Sequence, residues 1–516
     1  MPVQERPLVE ETSDSPRRTS VSVALVFCAI VGVPLLVQPV YELAKGRPLQ
    51  EFDIFRRAPT LDRIKAFETE LTDAGLFVRL ARPYTQWLQL ALLGQGNEKV
   101  VIGRDGWLFF RPNITYATHP PFTHYVKDAR LRCKDPFPAI ASFARDLRSR
   151  GIDLVVVPVP VKPSIYPEKL TALYDESLGP PVNVYAEEFF RRLRQEGITV
   201  IDLTRTLWDA KPRGKLYLSM DTHWTPLGMS VFADALAEEL VRRHGWLSER
   251  LREYAVRPLK VAHTGDIQVM LNLPSWSRMY GKEEVVIEQV LDQATGKLVE
   301  PDPGSPIVLL GDSFTNVFSL AEMNWGDHAG LGEHLARRLG RPIDVIAVNG
   351  GAPTATRQKF ARRGIIAGKK LVVWAFATRE LITPDTAWDV VPLPEERARA
   401  AEEGRIEVTA EVLAVSRPPR PGEDPYPDAL TLTKYKVLSV GSGRYEGGEL
   451  LAVEWVMRNY KLTAAAALRP GDVRVLTLVP FDQKVKSEPD LDKIKQLDDT
   501  GEYGLLPYWV EESRAP

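Results

Sequence analysis

The chain has 516 residues, long enough for about two to four domains and a sizeable core. Its 66 Lys and Arg against 68 Asp and Glu give a net charge of −2, which excludes a nucleic-acid binder built on a basic footprint. Hydrophobic content of 44% and charged content of 26% exclude disorder, collagen and a polytopic membrane protein, and two cysteines, Cys28 and Cys133, exclude a disulfide framework or a thiolate zinc site.

Residues 1–19 read as a cytoplasmic tail ending in Arg17 and Arg18, and 20–41 carry no charge. As a helix its Ser20–Val40 part spans about 31 Å, close to a hydrocarbon core of about 30 Å. The expectation is an uncleaved single-span transmembrane anchor with the rest of the chain extracytoplasmic, in the periplasm or cell envelope. Lys45, Arg47, Arg56 and Arg57 beyond it weigh against that orientation, and Pro34, Gln38 and Pro39 suit a spanning helix poorly. A cleaved signal peptide needs small residues before its cut site, and Pro39–Leu43 offers none; a buried core helix is the remaining alternative.

Residues 42–96 read as a juxtamembrane linker and a helical segment with Leu61, Ile64, Phe67 and Leu71 on one stripe, broken near Arg82-Pro83. Lys99–Phe110 predicts a strand and turn, with Asp105-Gly106 as the turn pair. Between 97 and 388 apolar strands alternate with helices. Helix Phe137–Arg150 precedes strand Asp153–Val159, and helix Val184–Glu196 precedes strand Ile198–Leu203. Helix Pro226–His244 precedes strand Pro306–Leu310, helix Leu331–Leu339 precedes strand Ile343–Val348, and strand Lys370–Phe376 closes the series. Fully apolar strands in such alternation predict a parallel sheet with helices on both faces. Its ligands bind at the carboxyl ends of the strands. Residues 389–404 form a charged linker. From 405 to 516 only β runs remain, at Ile406–Val415, Leu430–Val440, Glu449–Arg458 and Val473–Val479, which predicts a small all-β domain, barrel or sandwich.

Three motifs fall where this architecture has loops. Asp221-Thr222-His223-Trp224 precedes a helix, and an Asp two residues before a His can hold imidazole Nδ1 while Nε2 faces a cleft. Gly311-Asp312-Ser313-Phe314 follows a strand and puts a serine, with its backbone N–H, at the sheet edge, a setting suited to an oxyanion. Val348-Asn349-Gly350-Gly351 ends the next strand, where the Asn349 amide and a close-approaching Gly350 serve the same purpose. Each has a plainer reading, as helix caps for the first two and an Asn-Gly turn for the third. Serine needs an adjacent base to act as a nucleophile. Of the seven His residues, His223 has the acidic neighbour and the strand-to-helix setting. No His-x-His or His-Glu-x-x-His spacing suggests a metal.

Gly311-Asp312-Ser313 and Asn349 resemble the blocks of SGNH-type hydrolases. Ordinary members carry Gly-Asp-Ser first and Asp-x-x-His last; here the acid and base precede Ser313 by about 90 residues with Asp-x-His spacing. That order resembles the SGNH-like domain of alginate O-acetyltransferases and related exopolysaccharide O-acetylation proteins. Further matches are Ile102–Phe109, Pro158–Lys162 with Ile165–Glu168, and Asp221–Gly228, across roughly residues 97–385. The resemblance implies an SGNH-like α/β fold over 97–388 and a triad of Ser313, His223 and Asp221. Asn349 and Gly350 then serve the oxyanion, Arg379 contacts substrate, and neither a cofactor nor a metal is required. It implies a membrane-bound polysaccharide O-acetyltransferase with an acetyl-serine intermediate. The acetyl donor would come from a multi-span membrane acyltransferase. Where the family tends to show Trp-Glu-x-x-x-Arg, this chain reads Trp374-Ala375-Phe376-Ala377-Thr378-Arg379, with Ala375 where an acid is expected. In some relatives a carbohydrate-binding module follows, so glycan binding is the expectation for 405–516. A carbohydrate acetylesterase with the same triad and a non-catalytic polysaccharide-binding assembly subunit are the alternatives.

Overall fold

Runs of Val, Leu and Ile with no polar alternation bury both faces of a strand, and they form the centre of this protein. The computed structural model describes residues 76–516 except 120–121, 123–132, 351–352, 364–365, 383–387, 394–403, 420–425, 493, 503–504 and 516, with scattered positions between 21 and 64. A hairpin of β1 (Val100–Ile102) and β2 (Leu108–Phe110) precedes β3 (Asp153–Val159) and β4 (Thr199–Val200). A long second hairpin, β5 (Tyr254–His263) with β6 (Glu283–Asp292), interrupts the alternation before β7 (Ile307–Gly311), β8 (Asp344–Ala347) and β9 (Leu371–Ala377). The central sheet has the order β4-β3-β9-β7-β8, with every pair parallel.

Side chains of β3 alternate between two cores, Val155, Val157 and Val159 on one face and Leu154 and Val156 on the other, the period of two that a pleated strand imposes. Helices α2 (Phe137–Arg148) and α3 (Ala186–Gln195) cover the second face, after α1 (Leu76–Leu93) at the start of the described chain. The first face is covered by α4 (Pro226–Arg243) and, after the short turns α5 (Asp266–Met270) and α6 (Ser313–Asn316), by α7 (Leu331–Leu339). Helix α8 (Pro353–Arg363) returns to the second face through Phe360. The hairpin β5–β6 and α8 were not anticipated. The hairpin is exposed along most of β5, so it lacks a buried-face signature, and α8 is too rich in Arg, Lys and Gln to show an apolar stripe.

The N-terminal expectation is corrected. Among the described residues no helix is long and apolar enough to cross a membrane. Pro34 and Pro39 lack the N–H that a continuous helix needs, and buried Gln38 accepts the Leu76 N–H at 2.8 Å, a contact within protein rather than with lipid. The tail at 1–19, most of the linker before residue 76 and most of 389–404 lie outside the described residues. The break expected at Arg82-Pro83 is absent: α1 runs through Pro83, forgoing one backbone hydrogen bond.

The C-terminal β runs close into a barrel. β10 (Ile406–Val415), β11 (Ala429–Ser442), β12 (Glu449–Arg458), β13 (Lys461–Leu462), β14 (Val473–Pro480), β15 (Lys495–Leu497) and β16 (Pro507–Arg514) follow in order. Five of them form the ring β10-β11-β12-β16-β14-β10, antiparallel except for β12–β16. Register shifts between β10 and β11 bend the ladder enough to close it. Val408, Ala410, Val412, Leu450, Ala452, Leu476 and Leu478 fill the interior. This is a five-stranded Greek-key closure of the OB kind, whose second and third strands commonly offer an outer face to oligomers. Here that face is covered by the chain itself: Leu430, Leu432, Leu451 and Val453 pack against Phe481, Leu491 and Ile494.

The covering segment also docks on α8. Asp492 pairs with Lys359 at 3.0 Å and with Arg363, which in turn reaches Asp344 at 2.6 Å, and Arg362 pairs with Asp498. Burial would raise the Asp492 carboxyl, but the two cations outweigh it and bring it down to about 2. Its stabilising contribution is therefore present above the ordinary value of 3.8 and fades as pH falls toward 2. Asp492→Ala strands the buried Lys359 ammonium and takes from Arg363 one of its two carboxylates, and is expected to cost about 3–5 kcal/mol. Chemical denaturation of both chains checks this, and an unchanged midpoint would show the network to be neutral.

Candidate active site

Two capping residues decide what the loop motifs are free to do. Asp312 is the N-cap of α6: its Oδ1 accepts the Phe314 N–H and its Oδ2 the Ala377 N–H from the end of β9, both at 2.9 Å. Ser313 then occupies the first helical position, where backbone N–H groups have no partner within the helix. Thr225, not Asp221 or Thr222, caps α4 by accepting the Gly228 N–H at 3.2 Å. The Asp221 carboxylate is left for other work.

Asp221, His223 and Ser313 are all buried and in contact. His223 Nδ1 lies 2.6 Å from Asp221 Oδ1, and His223 Nε2 lies 2.8 Å from Ser313 Oγ. Asp221 Oδ1 also accepts the His223 N–H at 3.0 Å, while Oδ2 accepts the Asp266 N–H and the Trp325 indole N–H, each at 3.0 Å. Burial by itself would raise this carboxyl, but the facing imidazole and these hydrogen bonds hold it well below the usual carboxylate range. An ionised carboxylate only accepts, so Nδ1 carries the imidazole proton and Nε2 presents a lone pair to the serine hydroxyl. Burial lowers the His223 pKa, yet Asp221 and then Asp266 outweigh it and place the ring above the ordinary 6.5. Phe314 meets the His223 ring edge-on at 4.9 Å and Trp224 backs Phe314 at 5.1 Å, an apolar wall that limits water.

Asn349 follows β8 and is buried. Its Oδ1 accepts the Asn316 side-chain N–H at 2.8 Å, one helical turn after Ser313, which fixes the orientation of its amide. The NH₂ group is left facing Met323 Sδ at 3.3 Å, a weak acceptor. Gly350 holds φ +59°, and a Cβ there would sit 2.8 Å from the Tyr426 ring and 3.2 Å from Lys495, so the barrel presses directly on this turn. Gly351 lies outside the described residues. Arg379 sits on the Phe110 and Phe314 rings at 5.7 and 5.8 Å, pairs with Glu380 at 3.1 Å and donates to Asn113 Oδ1 at 3.3 Å. It therefore borders the wall next to Ser313.

The other quoted blocks brace this arrangement. Lys162 Nζ, fully buried beside the Trp107 and Phe109 rings, donates to Leu108 O at 2.8 Å and Ser219 O at 3.1 Å. It ties β2 to the segment leading into Asp221, and burial pulls its ammonium down to about 7. Residue patterns pointed to none of Asp266, Trp325 or Asn316. Asp266 and Trp325 reach Asp221 from 45 and 104 positions away, a separation without local signal. Asn316 did have one, its spacing of three from Ser313 on a helix.

Among the described residues, Asp221, His223 and Asp266 form a group with the spacing of metal ligands. The Asp221 and Asp266 oxygens are already committed to N–H and O–H donors, so the set reads as a proton relay rather than an open cation site.

Residues 100–378, more than half of the chain, match the SGNH hydrolase-like domain of the acetyltransferase AlgX. The probable alginate O-acetylase AlgJ of Pseudomonas fluorescens is 26% identical over 335 residues, covering 64% of this chain and 80% of that protein. Its counterpart in Pseudomonas aeruginosa is 29% identical over 255 residues, covering 48% and 60%. Among solved structures, the O-acetyltransferase domain of Pseudomonas putida AlgJ aligns at 25% identity with a TM-score of 0.43, covering 56% of this chain and 94% of that one.

Proposed function

From the premise that the chain belongs to the family of SGNH hydrolase-like acetyltransferase domains of the AlgX kind, we propose that it is a polysaccharide O-acetyltransferase working through an acetyl-Ser313 intermediate. The observation that carries the mechanism is the hydrogen-bonded line from Ser313 Oγ through His223 to Asp221. In the first half-reaction His223 Nε2 takes the Ser313 proton as Oγ attacks the acetyl carbonyl. The donor's bond to the acetyl group breaks, and His223 returns the proton to the leaving group. In the second, His223 takes the proton of a glycan hydroxyl, whose oxygen attacks the acetyl-serine. The ester bond to Oγ breaks, and Ser313 recovers its proton. Asn349 and the Ser313 N–H receive the oxyanion in both halves, and Arg379 flanks the acceptor.

On this reading the acceptor is a polysaccharide outside the cytoplasm, and the acetyl group is handed over by a multi-span membrane acyltransferase. Incubating the full chain with an activated acetyl ester, without acceptor, is expected to add one acetyl group to the peptide containing Ser313, read by mass spectrometry. Adding an oligosaccharide is expected to move that group to the glycan. Label that never appears on Ser313 would refute the mechanism, and label released only to water would make the protein an esterase.

A further inference from the structure

The hairpin β5–β6 ends beside the relay, and the residue it delivers there is a second carboxylate. Gly265 and Asp266 follow β5 and are pressed against the loop that carries Asp221: a Cβ on Gly265 would sit 2.1 Å from Met220 O and 2.7 Å from the Asp221 nitrogen. A glycine at 265 is thus what allows Asp266 to come so close. The Asp266 N–H donates to Asp221, while its own carboxylate accepts the Thr222 N–H at 2.7 Å and the Thr222 hydroxyl at 2.6 Å. That hydroxyl lies 3.2 Å from His223 Nδ1, and Asp266 Oδ2 itself stands 3.8 Å from the same nitrogen.

We infer that Asp266 is a positioning residue of the acetyl-transfer site, a second carboxylate that stabilises the His223 imidazolium and locks the Asp221–His223 loop through Thr222. Asp221 alone orients the ring; Asp266 adds negative charge on the same side without contacting Ser313. The inference rests on the reading of His223 as the base, and its first measurement is independent of turnover. The charged and titratable groups around Asp266 are Asp221 and His223 beside it and Lys162 within electrostatic reach, and Lys162 is in turn acted on by Glu283 and Lys215. Arg379 acts on His223 from the Phe314 side, and His263, next to Trp325, faces Asp221 and Lys282. Burial, then the Asp221 charge, raises the Asp266 carboxyl to about 6, so its own ionisation overlaps the range in which His223 titrates.

The test is the His223 imidazole titration in the full chain by NMR, compared with Asp266→Asn. Removing this negative charge is expected to lower the His223 pKa by about one unit, a tenfold change in its proton affinity. The acid limb of acetyl-ester turnover should move down by the same amount and the plateau fall about tenfold, with Asp266→Glu restoring both. An unchanged His223 pKa in a folded Asp266→Asn chain, or one that rises, overturns the inference. Should that variant fail to fold, the wild-type curve decides: a two-step His223 titration supports coupling to Asp266, and a single step refutes it. Failure of acetylation at Ser313 would leave the titration result standing, so the two readings fail separately.

Discussion

Ser313→Ala is expected to lower turnover of an activated acetyl ester by at least about 10³-fold while the protein stays folded. Loss of the nucleophile leaves only binding and oxyanion stabilisation, which by themselves retain a small part of the rate. The structure explains why the fold survives. Asp312, not Ser313, caps α6 and ties it to β9, and Ser313 Oγ makes its hydrogen bond to His223. Losing such a hydrogen bond costs about 1 kcal/mol, far below what Asp492→Ala is expected to cost. Turnover within tenfold of wild type, with the thermal midpoint unchanged, would show that another group carries the acetyl.

Asp221→Asn is expected to be comparably damaging, about 10⁴-fold, although only one oxygen becomes a nitrogen. An amide at 221 can present NH₂ to His223 Nδ1, which favours the tautomer with its proton on Nε2, facing Ser313. The base is then unavailable to the hydroxyl 2.8 Å away. Without the carboxylate the imidazolium also loses its main support, so the acid limb of the pH profile should shift to lower pH. In the wild type that limb lies above the ordinary imidazole value of 6.5, because Asp221 and Asp266 outweigh the effect of burial. Rate falls as pH drops through it, since the protonated ring cannot accept the serine proton. A variant that keeps both the rate and the limb would mean that Asp221 does not orient His223.

These expectations trace back to residues of unequal legibility. The apolar strands Asp153–Val159 and Leu371–Ala377 declared themselves by composition, and helix Leu331–Leu339 by its periodicity and its terminal Gly340. Asp221, His223, Ser313 and Asn349 stood out because their types and spacings match known chemistry at strand ends, and the fold brings the first three into contact. The uncharged stretch 20–41 misled, since hydropathy registers apolar length and not the contacts of Gln38. Glycan binding by the C-terminal domain was an analogy, and the closure of that domain into a barrel depends on β16, whose polar end, Glu511–Arg514, carries no strand alternation.

The amino-acid sequence by itself determined the strand and helix runs of the parallel sheet and the motif positions along its edge, because hydrophobic period and short-range residue chemistry act over a few positions. Only the tertiary structure decided which groups surround the relay. Asp266 and Trp325 hold Asp221, and Asn316 turns Asn349. The C-terminal domain presses on Gly350 through Tyr426 and Lys495. Such contacts join residues tens to hundreds of positions apart, and their geometry follows from how the layers pack, a global property that no local pattern encodes.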